Sequence, residues 1–135
     1  MPDRPPHRFS VRIYYEDTDL AGIVYYANYL RFIERGRTEA LRAAGIDQAR
    51  LKAGAGLVFV VRRLTVDYRR PARFDDLVDV TTRVIECRRA WLTVAQTVER
   101  GGETLVSAEV QLAVVDPDGR PRAMPADIAE ALAGI

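Results

Sequence analysis

The chain has 135 residues, of which 48% are hydrophobic and 29% are charged, and its formal net charge is +1. This length predicts a single domain over residues 1–135 with its own hydrophobic core. The near-zero charge argues against nucleic acid as a partner. The sequence contains no run of about 18 consecutive apolar residues, so no membrane span is predicted. The polar, proline-rich start is unlike a signal peptide, so we expect a cytoplasmic protein.

Three residue types that serve in many active sites are rare in this chain. There is one cysteine, Cys87, one histidine, His7, and two serines, Ser10 and Ser107. We expect His7 to lie in a frayed N-terminal segment, which leaves a serine or cysteine nucleophile without a base. The chain also lacks the usual ligands of a zinc site. If the protein is an enzyme, carboxylates and backbone dipoles are therefore expected to perform its chemistry.

The first predicted elements are a strand and a long helix. Apolar residues alternate with polar ones over residues 8–15, which is the period of a half-buried strand. From Asn28 to Ala44 the apolar residues recur at helical spacing. Asn28 is the expected N-cap and Gly45 the expected C-terminal stop. Gly36 lies on the apolar stripe of this helix and indicates close packing against a sheet.

The rest of the chain predicts four strands and a short helix. We interpret residues 47–56 as a loop and expect a short terminal helix over residues 128–132. The strand patterns cover residues 57–68, 77–86, 90–99 and 104–115. The residues expected to share one face of the first of these strands are Val58, Val60, Leu64, Val66 and Tyr68. The order β-α-β-β-β-β predicts an α+β fold in which one long helix packs on a five-stranded, mostly antiparallel sheet.

Between the first strand and the long helix lies the stretch "YYEDTDLAGIVYYANYL", which has three acidic residues in four positions. An aspartate before a helix is ordinarily a cap or part of an Asx turn. Asp19, however, precedes Asn28 by nine residues, which is too far for it to cap that helix. We expect structural roles for Glu16 and Asp17. A metal site on the two aspartates is a third interpretation, which no nearby carboxylate or histidine cluster supports.

This stretch resembles the hotdog-fold acyl-CoA thioesterases, in particular the 4-hydroxybenzoyl-CoA thioesterase group and its Tol-Pal-associated branch. The matching parts are the D-x-D of residues 17–19, the glycine turn "AGIV" and the tyrosine-rich "YYANY" that enters the helix. The likeness continues through "ERGRTEALR" and "VDYRRPARFDDLVDV", so it covers most of the chain. It implies a hotdog fold, in which a sheet wraps a long central helix. It also implies hydrolysis of acyl-CoA to a free acid and coenzyme A, with no metal and no cofactor besides the coenzyme A of the substrate.

The resemblance places the catalytic carboxylate at Asp19. This carboxylate would attack the thioester directly or activate water, and the sequence leaves both routes open. The oxyanion would be stabilised by the N-terminus of the helix, where the family match assigns the backbone N–H around Tyr26 as the donor. Gly22 would let the backbone come close to the substrate. Many Tol-Pal-associated members carry histidine at the position of Tyr26, so the substrate of that branch does not carry over directly.

Besides Gly22, the substrate-binding residues implied by the resemblance lie on the strands or between them. Arg88 and Arg89 match a basic pair of the family and suit the phosphates of coenzyme A. Phe59 and Val60 would line the acyl pocket and would come from a neighbouring subunit. The alternative basic patch consists of Arg69, Arg70 and Arg73. The acyl group, whether aromatic, short or long, is left open.

The sequence also offers alternative catalytic residues and functions, and the resemblance implies partners. A second clade of hotdog thioesterases uses a helix glutamate, for which Glu34 and Glu39 are the candidates, but both lie at ion-pairing spacing from arginines. We interpret Cys87 as a small packing residue. The resemblance implies a homodimer or homotetramer, with an acyl carrier protein as a further partner. A dehydratase would need a histidine in its site, and this chain has none available. The alternative function is a non-catalytic acyl-carrier or envelope-associated adaptor.

Overall fold

The computed structural model describes residues 4–135. Its elements are β1 (His7–Arg12), a 3₁₀ turn (Tyr15–Asp17), α1 (Asn28–Ala43), α2 (Gln48–Ala55), β2 (Val58–Tyr68), β3 (Leu77–Cys87), β4 (Trp91–Arg100), β5 (Glu103–Val115) and α3 (Ala126–Leu132). The strands form one sheet in the order β1-β3-β4-β5-β2, and all neighbouring pairs are antiparallel. The predicted α+β class, with its five strands and long helix, is confirmed.

The long helix α1 packs on one face of the sheet through its apolar stripe. The buried residues of this stripe are Tyr29, Phe32, Ile33, Gly36, Ala40 and Leu41. A Cβ atom at Gly36 would lie only 2.3 Å from Cγ1 of Val80 on β3, so this glycine allows the helix to approach the strand closely. The close packing predicted for Gly36 is therefore confirmed. At the other end, Gly45 has a φ of +88° and ends the helix as predicted.

A buried amide connects the middle of α1 to the sheet. The Nε2 of Gln96 on β4 donates hydrogen bonds to the carbonyl oxygen of Ile33 and to Oγ1 of Thr82, both at 2.9 Å. Its Oε1 accepts a hydrogen bond of 3.0 Å from Arg37, whose pKa is lowered by burial against the opposing effect of Glu34. Since buried polar groups require such partners, this network favours one position of the helix along β4.

The first strand is shorter than predicted. β1 ends at Arg12, and Ile13 pairs with Asp76 through an N–H···O bond of 2.9 Å. The chain then enters the 3₁₀ turn, which leaves Tyr15 83% exposed instead of half-buried. The prediction of a frayed His7 is wrong, because this residue pairs with Thr82 at the start of β1.

The segment interpreted as a loop contains the helix α2, so that interpretation is wrong. The Asp47 side chain caps the helix by accepting a 3.0 Å bond from the N–H of Arg50, and Gly56 ends it with a φ of +72°. Both signals are present in the sequence. The helix buries no residue, so it lacks the apolar stripe from which longer helices are recognised.

Strand β2 contains a bulge that changes which residues share a face. Its pairing with β5 shifts between Val61 and Arg63, and Phe59 pairs with the buried Val114. Paired residues share a face of the sheet, so Phe59 and Val61 lie on the helix side together with Leu64, Val66 and Tyr68. The prediction that Val58 and Val60 share this face is wrong, because one extra residue inverts the alternation.

The outer edge of β2 is a border of the sheet. No strand of residues 4–135 pairs with this edge. Three apolar side chains on the helix-facing side of β2 are also exposed, namely Val61, Leu64 and Tyr68. An unpaired edge beside exposed apolar residues is a surface on which sheet proteins add a further strand.

Candidate active site

A short hairpin carries the acidic residues to the start of α1. Thr18 and Val24 form an antiparallel bridge, and the N–H of Tyr25 donates to the carbonyl oxygen of Asp17 at 3.0 Å. The two oxygens of the Asp17 carboxylate accept bonds from the Tyr14 N–H at 2.8 Å and the Asn28 Nδ2 at 2.7 Å. Asp17 therefore holds the hairpin and the helix together, which is a structural role.

Asp19 lies at the tip of this hairpin and is exposed. Its backbone closes the tip through bonds to Gly22 at 3.0 Å and Ile23 at 2.9 Å. Its Oδ1 accepts a 2.9 Å bond from the N–H of Ala21, which is an Asx turn. Within residues 4–135 no hydrogen bond to Oδ2 is found. One carboxylate oxygen thus shapes the turn, and the other is available to a ligand.

Gly22 is required by the shape of the hairpin tip. Its φ is +80°, in the left-handed region that favours glycine. A Cβ atom at this position would meet no atom within 4 Å. The described chain therefore leaves open space beside Gly22.

The N-terminus of α1 has no side-chain cap. The N-cap residue is Ala27, and Asn28 is the first helical residue. The prediction of Asn28 as N-cap is wrong, because Asn28 already lies within the helix and its N–H donates to the carbonyl oxygen of Tyr25 at 2.8 Å. Its side-chain Nδ2 donates to Asp17. Within the part of the chain that the structure describes, the N–H of Tyr26 has no hydrogen-bond acceptor. An uncapped helix start with a free N–H group is an arrangement that binds anions.

The segment after β2 forms a wall that is bonded to both the hairpin and α1. The N–H of Val24 donates to the carbonyl oxygen of Ala72 at 2.9 Å, and the N–H of Ala72 donates to the Tyr29 hydroxyl at 2.8 Å. Burial raises the pKa of Tyr29, against an opposing effect of the hydrogen bond from Ala72. The phenol is therefore neutral at pH 7. Its hydroxyl fixes the wall relative to the helix.

A part-buried ion pair between Arg100 of β4 and Asp76 supports the same wall. Arg100 donates to Asp76 at 2.8 Å and to the carbonyl oxygen of Pro71 at 3.2 Å. Partial burial acts to raise the pKa of Asp76, but hydrogen bonds from the Arg73 N–H and from Arg100 hold that pKa below its usual value. The two contacts of Arg100 join residues far apart in sequence, so no local pattern predicted them.

A cavity of about 230 Å³ lies beside the helix start. It is lined by Ile23, Val24, Tyr26, Tyr29, Tyr68, Arg69, Arg70 and Pro71. Two of the three arginines of the alternative basic patch therefore lie at the cavity, and Arg73 forms a bridge with Ile23 of the hairpin. Arg70 is paired with Glu103 at 3.1 Å.

The other substrate-binding candidates lie at the opposite end of the sheet. Tyr68, which contacts the Tyr26 ring, ends β2, whereas Phe59 stands near its beginning. They are nine positions apart along the strand, about 30 Å. Val60 points to the other face from Phe59. Arg88 and Arg89 lie in the β3–β4 turn at that same far end, where Arg88 pairs with Glu86 at 2.7 Å. One chain thus does not bring these residues to Asp19.

The remaining candidates lie outside the site. His7 is at the far end of β1 from Ile13, about 20 Å away. Glu39 forms an ion pair with Arg42, as its spacing predicts. Cys87, interpreted as a small packing residue, is exposed, and its Sγ lies 4.0 Å from Sδ of Met124.

Neither a metal site nor a membrane-spanning helix is present among the described residues. No group of three or more His, Cys, Asp or Glu side chains among residues 4–135 is placed to hold a metal ion. None of the helices described is long and apolar enough to cross a membrane.

An antiparallel sheet around a long helix, with an acidic hairpin at the helix start, defines a hotdog-fold protein. The family model described as the thioesterase-like superfamily matches residues 13–132. The chain belongs to this superfamily.

Individual relatives agree with the assignment. The chain is 44% identical to the acyl-CoA thioester hydrolase YbgC of Escherichia coli over 123 residues, which covers 90% of this chain and 91% of the relative. The structure of a "probable thioesterase" from Bartonella henselae is 39% identical, with a TM-score of 0.86 and coverage of 89% and 99%. An Asp-to-Asn mutant of 4-hydroxybenzoyl-CoA thioesterase, in complex with 4-hydroxybenzoyl-CoA, is 25% identical, with a TM-score of 0.87 and coverage of 96% and 99%.

Proposed function

We propose that this protein hydrolyses acyl-CoA thioesters to a carboxylic acid and coenzyme A, with Asp19 as the catalytic carboxylate. The observation that carries the proposal is the hairpin of residues 17–25. It holds a carboxylate with one free oxygen and leads directly into a helix start with a free N–H at Tyr26. The activity named for the Escherichia coli relative supports the reaction class.

The free oxygen of Asp19 serves either of two routes. In the first, Oδ2 attacks the thioester carbon, the C–S bond breaks to release coenzyme A as a thiolate, and water opens the resulting mixed anhydride. In the second, Oδ2 takes a proton from water while the water oxygen attacks, and the proton passes to the leaving sulfur. Oxygen-18 from labelled water found in Asp19 after a single turnover identifies the first route.

Both routes place negative charge on the former carbonyl oxygen. The N–H of Tyr26 and the positive end of the 16-residue helix α1 would stabilise this charge. Removal of one such donor in other enzymes costs about 3–4 kcal/mol of barrier. Neither route uses a metal ion, so we expect hydrolysis to continue after dialysis against a chelator.

The proposed enzyme is at least a dimer. Antiparallel pairing of two β2 edges would place the Phe59 end of one strand beside the Tyr68 end of the other. This arrangement would bring Phe59 and Val60, together with the turn of Arg88 and Arg89, towards the Asp19 site of the second subunit. A monomer by light scattering at micromolar concentration contradicts this shared site. The tetramer, the acyl carrier protein as a partner and the cytoplasmic location stay predictions.

The test is thiol release from a panel of acyl-CoA substrates. Asp19→Asn and Asp19→Ala should lower kcat about 100- to 10,000-fold. The matched control is Glu16→Gln, which removes an exposed neighbouring carboxylate and should leave turnover unchanged. Unchanged turnover in both Asp19 variants refutes the role of Asp19. Wild-type protein without turnover on any acyl group instead favours the non-catalytic adaptor.

A further inference from the structure

Strand β2 is exposed along most of its length. Among residues 60–68 all but Val66 are exposed, although the strand has 11 residues and contains no proline. The strand at the other border of the sheet, β1, has only 6 residues and is preceded by Pro5 and Pro6. Short strands and prolines protect sheet edges from pairing. The edge of β2 is therefore the one suited to pair with another chain.

Two charges without partners lie on the face of β2 that is turned away from α1. After the bulge, Arg63, Thr65 and Asp67 alternate with Leu64 and Val66, which lie on the helix side. Within residues 4–135 neither the Arg63 guanidinium nor the Asp67 carboxylate forms an ion pair or a hydrogen bond. Four positions of strand, about 13 Å, separate the two residues. They are therefore too far apart to pair with each other in one chain.

A second copy of the chain offers each charge a partner when a two-fold axis passes through Thr65. Two β2 strands related by this axis run antiparallel in one continuous sheet, and residues at equal distances from Thr65 lie opposite each other. Arg63 of each copy then faces Asp67 of the other copy, Thr65 faces Thr65, and Leu64 faces Val66. Opposite-charge and Thr–Thr pairs stabilise antiparallel strands, and the Leu64–Val66 pairs bury apolar surface.

The neighbouring registers bring like charges together. Residues opposite each other share a face of the sheet, so the axis can move only by whole residues, to Leu64 or to Val66. With the axis at Leu64, the two Arg63 side chains approach each other diagonally across it. With the axis at Val66, the two Asp67 carboxylates do so. Like charges repel at such distances. Of these three registers, the one centred on Thr65 is favoured by the charges.

This register would also supply a residue to the cavity beside the helix start. The bulge makes Val61 the helix-side residue before Leu64, and Tyr68 is the helix-side residue after Val66. Val61 of the second copy would therefore come opposite Tyr68, which lines the cavity. Val61 is 52% exposed in the single chain, and this contact would cover it. The neighbouring Val60 points to the other face of the sheet.

We propose that two copies of this chain pair through β2 in the register centred on Thr65, held by two reciprocal Arg63–Asp67 ion pairs, and that Val61 of the second copy completes the cavity. This inference deepens the dimer of the proposed function and rests on it. It names the residues that meet at the two-fold axis.

A cysteine at the proposed axis reports the register directly. Cys87 is the single cysteine of the chain, and Cys87→Ser supplies a background without thiols. In this background Thr65→Cys would bring two Cα atoms to about 4.5–5.5 Å, which a disulfide spans. Oxidised glutathione should then yield a covalent dimer on a non-reducing gel. The matched control Arg63→Cys places its two cysteines about 13 Å apart along the strand and should stay uncross-linked.

Reversal of the charges tests the ion pairs. Arg63→Asp and Asp67→Arg each create two like-charge pairs in a homodimer, so each should raise the dimer Kd about tenfold or more. In an equimolar mixture the two variants complement each other, and native mass spectrometry should find about nine-tenths of the dimers mixed, against about half for random exchange. The double variant with both changes in one chain should regain the wild-type Kd. The control mixture of Lys52→Asp and Glu130→Arg reverses exposed charges outside β2 and should mix at random.

Three results overturn the inference. The first is a dimer in solution whose Thr65→Cys chains do not cross-link, and the second is equal cross-linking of Arg63→Cys. The third is random mixing of the Arg63→Asp and Asp67→Arg variants. Thiol release separates this inference from the reaction. A Thr65→Cys cross-link in a protein without turnover supports the register and refutes only the hydrolysis, whereas turnover by a monomer refutes the register and leaves the role of Asp19 standing.

Discussion

Replacing Asn28 with alanine tests how the acidic hairpin is held at the start of α1. The Asn28 amide donates a part-buried bond of 2.7 Å to the Asp17 carboxylate, and hydrogen bonds to charged groups contribute about 1.5–3 kcal/mol. The Tyr14 N–H still binds the other oxygen of Asp17 in the variant. We therefore take the lower part of this range, about 1.5–2 kcal/mol.

The loss of this bond can lower one of two measurable quantities, kcat or the free energy of unfolding. If the bond positions Asp19 relative to the Tyr26 N–H, its loss lowers kcat by about 10- to 30-fold, the equivalent of 1.5–2 kcal/mol of barrier. KM should change little, because Asn28 does not line the cavity. If the bond only stabilises the fold, the free energy of unfolding falls by that amount and kcat stays constant.

The assay pairs steady-state kinetics with urea unfolding of the same preparations. The control Gln111→Ala removes an amide on the sheet face turned away from α1 and should change neither quantity, since Gln111 pairs with Thr93 on that face. Asn28→Asp places a second carboxylate against Asp17 and should lower kcat further than Asn28→Ala. A wild-type kcat in both variants, with reduced stability, refutes the positioning argument.

Two further predictions concern the framework of the site. Gly36→Ala should lower the free energy of unfolding by about 1–3 kcal/mol, because the new Cβ would lie 2.3 Å from Val80 Cγ1. In urea unfolding, the double variant Gly36→Ala with Val80→Ala should lose less stability than the sum of the two single variants. Simple additivity would contradict the clash. Asp76→Ala should cost about 1 kcal/mol at pH 7. Since the pKa of Asp76 is depressed in the folded protein, its contribution is present above the unfolded pKa of about 4 and is lost as pH falls through the folded pKa. The unfolding free energies of wild type and variant should therefore converge in acid, and a constant difference down to pH 2.5 refutes the ion pair.

The elements that the sequence predicted are those with a long, regular apolar period. The stripe of α1 and the alternation of β4 and β5 correspond to buried positions, because each element buries one face against the same core. The "RGGE" turn between β4 and β5 also has a local signal, since Gly101 and Gly102 both have positive φ.

The features that the sequence did not predict depend on partners distant in the chain. The bulge in β2 exists only relative to β5, and a period of two within one strand cannot reveal it. Asn28 is a strong N-cap residue in isolation, but in the folded chain it is the first helical residue and its Nδ2 donates to Asp17 of the hairpin. The Tyr29–Ala72 bond likewise joins residues 43 positions apart.

The candidate site likewise combines residues that are close in sequence with residues whose positions depend on the whole sheet. Asp19, Gly22 and Tyr26 fall within one continuous stretch, and the hairpin of residues 17–25 ends directly before Tyr26. Their roles in the reaction stay predictions. The residues assigned to substrate binding are on other strands, and their distances follow from the register of the whole sheet. Arg69 and Arg70 line the cavity, whereas Arg88 and Arg89 lie in the β3–β4 turn.

The position of the proposed oxyanion donor is set by contacts in the middle of α1. Tyr26 precedes Ile33 by seven residues, about 10 Å along a helix, and the Gln96 amide binds the Ile33 carbonyl. Gly36 adds the second constraint by seating the helix against Val80. Because a rigid helix transmits a shift along its axis, a core substitution that moves α1 by about 1 Å should also displace the Tyr26 N–H just before the helix, and a displacement of this size can cost about 100-fold in rate. Substitutions at Gln96 and Val80 should therefore reduce catalysis as well as stability, although neither residue lines the cavity.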